Sequence, residues 1–145
     1  MTEEIPPVAL TETAKGCLAD FGVNFSGVVR VEAEGRAGEA LELRHAELLH
    51  PNGGLNRKNL RSAEARDRYI FAADGTVSYA PRFTYHGFRY AEISGVPMKR
   101  IRRVTGLQLH TDVRQTGSFS CSDPLLNRIH EAMTRSMRTN LHSIP

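Results

Sequence analysis

Six histidines, two cysteines and sixteen acidic residues are the groups in this chain from which chemistry could be assembled. His110 and Asp112, one residue apart in an alternating run, would share one side of a strand, a spacing a metal ion could use. No third ligand follows from the sequence, so the pair reads as a polar outer face. His45 falls on the apolar side of its strand and reads as a hydrogen-bonded core histidine rather than a base. His86 precedes Gly87, where the aromatic alternation Phe83, Tyr85, then Phe88, Tyr90 changes phase. A β-bulge there would re-aim His86, although bulges also occur at plain sheet edges.

The remaining polar groups have simpler readings. Lys99, Arg100, Arg102 and Arg103 form the only dense basic cluster, but the net charge is only +3 and no aromatics interleave them. A nucleic-acid surface wants both, so this is a solvated face and no nucleic-acid partner is expected. Asp123 reads as a helix cap and Glu131 as a surface residue, whereas glycosidic hydrolysis requires two positioned carboxylates. Asn52-Gly53-Gly54 lacks the Lys-Ser/Thr signature of a phosphate loop. Cys17 and Cys121 make neither a disulfide framework nor a metal site and are taken as free thiols. From the residues alone, no catalytic, cofactor-binding or metal-binding position is assigned.

The elements that must carry these groups are mostly strands. Val29, Val31 and Ala33 alternate with Arg30, Glu32 and Glu34, and Leu41, Leu43 and His45 alternate with Glu42 and Arg44. With Gly35 to Gly38 between them, they predict a hairpin with one wet face. Pro51 to Leu60 is a polar, glycine-rich excursion. Asp74-Gly75 predicts a second hairpin turn between Tyr69/Phe71 and Val77/Tyr79. Pro81 to Gly95, with aromatics on both faces, predicts a covered central strand in the core. Leu107, Leu109 and Val113 then alternate with Gln108, His110 and Asp112. Many strands on short turns imply a β-sandwich or barrel.

After residue 118 the period changes. Asp123 as N-cap and Pro124 at the first helical position open a helix. Leu125, Ile129, Met133, Met137 and Leu141 recur every four residues, an apolar stripe about five turns long. A sandwich already buries its inner faces, so this stripe predicts a further helical partner rather than docking on the sheet. The resulting division is a lead-in (1–18), a sandwich (19–118) and the first helix of another domain (119–145). The 145-residue length suits one core, and 40% hydrophobic with 24% charged residues is ordinary globular composition. No apolar run reaches the length of a membrane span, so no membrane partner is expected. MTEEIPPVALTETAKG lacks the basic end and apolar centre of a signal peptide. With Met1 as the start, a cytoplasmic location is expected.

Five stretches in order, DFGVNFSG (20–27), LRHAELLHPNG (43–53), NLRSAEARDRYIF (59–71), PRFTYHGFRYAEISG (81–95) and TGSFSCSDPLLNRIHEA (116–132), resemble bacterial α-L-rhamnosidases. These are inverting glycoside hydrolases that remove terminal α-L-rhamnose. The resemblance implies a concanavalin-like sandwich lying before an (α/α)6-barrel catalytic domain, with residues 119–145 as its first helix. NLHSIP (140–145) is similar to the start of a stretch that continues into an acidic catalytic motif. The general acid and the water-activating carboxylate would both lie in the barrel, so no catalytic residue carries over onto this chain. The implied partners are the rest of the barrel and a rhamnosylated glycoside or polysaccharide. The exposed stripe also implies self-association of the isolated piece. A second reading is a stand-alone carbohydrate-binding sandwich using Tyr85 or Tyr90.

Overall fold

The computed structural model describes residues 3–143. Its strands are β1 (Glu3–Ile5), β2 (Ala9–Thr13), β3 (Gly16–Gly35), β4 (Ala40–Ala46), β5 (Leu48–Leu49) and β6 (Leu55–Asn56). They continue as β7 (Arg66–Ile70), β8 (Gly75–Tyr79), β9 (His86–Ser94) and β10 (Ile101–Gln108), before the helix α1 (Pro124–Asn140). All strand pairing is antiparallel. The fold is the expected mainly-β sandwich with one C-terminal helix. No helix among the described residues is long and apolar enough to cross a membrane.

The 20-residue strand β3 belongs to both layers. Its first part, Gly16–Asp20, pairs with β2 on one side and β9 on the other, and β4 and β7 extend that layer. Its last part pairs with β10 and β8, with β1 beyond β10. Between them the β3–β9 register breaks from Asp20 to Phe25. Gly22 supplies a φ of +76° there, a conformation that costs glycine little. The same face of β3 meets the core on both sides of the bend, with Cys17, Ala19 and Phe21 before it and Phe25, Val29, Val31 and Ala33 after it. Phe21, Phe25 and Phe88 fill the space under it, with ring centroids 4.6–5.6 Å apart. Tyr69 of β7 meets Tyr79 of β8 across the layers at 4.9 Å.

Several expectations are corrected. β3 and β4 do not form a hairpin: β4 pairs with β7 and β9. Nor do β7 and β8 pair across Asp74-Gly75, since β8 pairs with β3. Both turns instead carry the chain from one layer to the other, and they brace each other. The Ala37 amide donates to Asp74 Oδ1 at 2.8 Å and the Gly38 amide to the Phe71 carbonyl at 2.8 Å. The same turn residues serve either reversal, so local sequence does not separate them.

Residues 9–18, read as lead-in, supply β2 and the start of β3, and Glu3–Ile5 forms β1. Phe83 and Tyr85, read as core, lie in the loop before β9; Phe83 is fully exposed and Tyr85 is 51% exposed. The phase change falls later, between buried Phe88 and buried Ala91, opposite the break in β3. The alternation read beyond Leu107 also fails. β10 ends at Gln108, which is buried together with Val104, Thr105 and Leu107.

Candidate functional site

α1 begins where the sequence places it: the Leu125 amide donates to Asp123 Oδ1 at 2.8 Å, and Pro124 occupies the first turn. Its orientation is the unusual feature. The half-buried positions are Asn127, His130, Thr134, Arg138 and Thr139, all polar and turned toward the sandwich. Arg138 donates to Gln115 Oε1 at 3.0 Å, and His130 packs on Phe119 with centroids 5.2 Å apart. Leu125, Ile129, Met133 and Met137 are 54%, 46%, 61% and 71% exposed. An apolar stripe aimed at solvent is the reverse of normal helix burial.

The helix end is pinned by His142. Its ring stacks on Tyr85 with centroids 4.0 Å apart and planes at 12°. Its Nε2 lies 2.9 Å from Ser26 Oγ, whose hydroxyl donates to the Leu109 carbonyl, so the imidazole N–H donates to the serine oxygen. The Thr111 amide donates to the Leu141 carbonyl and the Ser143 amide to Thr111 Oγ1, both at 2.7 Å. Between α1 and the sandwich lie clefts of ≈ 530 and ≈ 730 Å³, bordered by Glu3, Gln115, His130 and Arg138. NLHSIP is partly outside the described residues, which end at Ser143.

The polar groups singled out from sequence now have positions. His110 and Asp112 lie beyond the end of β10, and His110 Nδ1 bonds the Thr111 carbonyl at 2.8 Å. They share the rim of the larger cleft but do not belong to a ligand cluster. Arg100, Arg102 and Arg103 are paired with Glu39, Glu34 and Glu4, which neutralises much of the basic cluster. Asn52-Gly53-Gly54 is the turn of the β5–β6 ribbon, closed by Asn52 Oδ1 accepting from the Gly54 amide. Cys17 and Cys121 are free; burial pushes the Cys17 thiol up to about 11.

His45 is fully buried, as expected, but it has company that the sequence did not reveal. His45 on β4, Asp67 on β7 and His86 at the start of β9 place their ligand atoms within 4.8 Å of one another. His86 Nε2 bonds Asp67 Oδ1 at 3.0 Å, and the two imidazoles stack at 4.4 Å. His45 Nδ1 lies 3.0 Å from the Ala65 carbonyl oxygen, so that nitrogen carries a proton. Burial above all, and the neighbouring His86, hold the His45 pKa down to about 4. Leu43 opposite Asp67 and His45 opposite Ala91 in the ladders are what align the group.

None of this makes a hydrolytic pair. A general acid in glycoside cleavage needs a raised carboxyl pKa. Asp20 and Glu39 are displaced the other way, held down by hydrogen bonds from Arg89 and Arg100.

Residues 11–110 match the family described as the bacterial alpha-L-rhamnosidase concanavalin-like domain. Residues 114–145 match the bacterial alpha-L-rhamnosidase 6 hairpin glycosidase domain. An alpha-L-rhamnosidase of Streptomyces avermitilis is 42% identical over 147 residues, covering 100% of this chain and 14% of the relative. The crystal structure of a Streptomyces avermitilis alpha-L-rhamnosidase complexed with L-rhamnose matches with a TM-score of 0.92 at 41% identity, over 100% of this chain and 14% of that one. The alpha-L-rhamnosidase from Dictyoglumus thermophilum matches with a TM-score of 0.93 at 38% identity, over 99% and 17% respectively. The chain thus spans about a seventh of the length of the Streptomyces relative.

Proposed function

The chain belongs to the bacterial α-L-rhamnosidase family, and from that premise we propose that it is the non-catalytic sandwich module, with the first barrel helix, of such an enzyme. The whole enzyme would hydrolyse terminal α-L-rhamnosyl residues of glycosides or polysaccharides with inversion. The division into a sandwich up to residue 118 and a helical part from 119 is part of this reading. The observation that carries it is the inverted helix. α1 holds the sandwich through polar contacts of Arg138, Leu141 and His142 and leaves Leu125, Ile129, Met133 and Met137 outward. An apolar stripe of that length is what a neighbouring barrel helix covers.

The module would then act by position. It braces the barrel's first helix and borders whatever cleft the barrel builds, while both catalytic carboxylates come from elsewhere. Incubation of the purified chain with an aryl α-L-rhamnoside tests this, with no aglycone release expected. Turnover that persists through repurification would overturn it. The carbohydrate-binding alternative has one observation in its favour, the exposed Phe83 and Tyr85 in the loop before β9. Saturable calorimetric binding of L-rhamnose, abolished by Tyr85→Ala, would support that reading over the scaffold.

A further inference from the structure

We propose that His45, Asp67 and His86 form a site for a divalent transition cation of the zinc class, clamping β4, β7 and β9 at one end of a layer. His45 Nδ1 faces a carbonyl and must carry the ring proton. In the neutral ring, Nε2 is then a bare acceptor, and it points at Asp67 Oδ2, another acceptor, 3.8 Å away. That separation is too long for a hydrogen bond. Both atoms are buried and without a hydrogen-bond partner. Two lone pairs facing each other in a dry place are costly as they stand. A cation between them satisfies both.

The donor chemistry narrows the class. Two imidazoles and one carboxylate suit zinc and its first-row neighbours, whereas calcium and magnesium prefer oxygen ligands alone. Donors about 2.1 Å from a tetrahedral zinc stand about 3.4 Å apart. His45 Nε2 and Asp67 Oδ2 at 3.8 Å, and His86 Nε2 and the other carboxylate oxygen, Oδ1, at 3.0 Å, lie on either side of that spacing. The three ligand atoms lie within 4.8 Å of one another, and the His86 ring, the most exposed of the three, must turn out of its stack on His45 to aim its lone pair at a shared ion. The Ala65 carbonyl already orients the His45 ring as an outer-shell acceptor does for a ligating histidine. Arg57 acts on His45 as a like charge and weakens the site without blocking it.

The test is calorimetric titration of EDTA-stripped protein with zinc chloride, in parallel with His86→Gln and Asp67→Asn, each checked for folding by circular dichroism. One equivalent should bind, and the melting temperature should rise with zinc by mass action and fall back with EDTA. Cobalt(II) in place of zinc should give visible absorption bands. Loss of a direct ligand should weaken binding by more than about 100-fold, since outer-shell losses alone cost 10–100-fold. His86→Gln lies at the rim of the cluster, so it carries the test even where Asp67→Asn does not fold. No binding, or undiminished binding by folded His86→Gln, would overturn the proposal and leave only adventitious metal on other imidazoles.

Discussion

Arg89 on β9 grips Asp20 on β3 through two hydrogen bonds, Nε to Oδ1 at 2.8 Å and Nη2 to Oδ2 at 2.9 Å. Asp20 is the last residue of β3 paired to β9 before their register breaks, and its Oδ1 also accepts from the Gly22 amide at 2.7 Å. One bidentate pair therefore ties down the bend that lets β3 serve both layers. Arg89→Ala should destabilise the fold by about 1–2 kcal/mol, a charge-assisted pair discounted for partial exposure. Urea unfolding checks this; an unchanged midpoint would show that the bend does not need the clamp.

The same pair gives a pH dependence. The Arg89 hydrogen bond holds the Asp20 pKa below its ordinary 3.8. A lowered folded value means the contribution is fully present above the unfolded pKa and is lost as pH falls through the folded one. The stability gap between the native protein and Arg89→Ala should be constant near neutrality and shrink below about pH 4. A gap that widens on acidification would contradict the assignment.

Gly95 closes β9 with φ +92°, and a Cβ there would lie 1.9 Å from the Ala40 carbonyl oxygen. Gly95→Ala combines a backbone penalty with a clash against main chain that cannot swing away. A loss of about 2 kcal/mol or more is expected in thermal or urea unfolding. A neutral result would mean that the Gly95–Ala40 approach is looser than described.

The two thiols should differ. Cys17 is fully buried with its pKa pushed up to about 11, while Cys121 is partly exposed beside the α1 cap. A thiolate reagent at neutral pH should modify one cysteine quickly in the native protein and both after unfolding. Cys121→Ser should remove the fast phase. Fast reaction that survives this substitution would place Cys17 at the surface.

The N-cap at Asp123 and the four-residue stripe of α1 were legible because caps and helical period are local signals. The two inter-layer corners were not. Gly35–Gly38 and Asp74-Gly75 have hairpin chemistry, and only the pairing of β8 with β3 and of β4 with β9 reveals the crossing. The His45–Asp67–His86 group was invisible for a related reason. Its members come from three strands aligned by ladder register, and Asp67 sits among RDR with nothing to distinguish it from a surface charge. Phe83 and Tyr85 misled because aromatic content is read as burial, while the loop before β9 exposes both.

Met133→Glu together with Met137→Glu should alter the stability of the chain by no more than about 0.5 kcal/mol, as surface changes do. Both side chains are more than half exposed. Sedimentation should show less self-association than the native chain, because the stripe is the contiguous apolar surface removed. A loss of several kcal/mol would mean the stripe is buried against the sandwich after all.

In the proposed enzyme, α1 offers its apolar face to the rest of the barrel. Hydrogen exchange of α1 should be compared between this chain and the protein made with whatever reading frame follows Pro145 in its source gene. Marked slowing across Leu125–Leu141 in the longer protein is the predicted result, since a covered helix opens far less often. Equal exchange in the two would leave the stripe uncovered and rule out that role for α1.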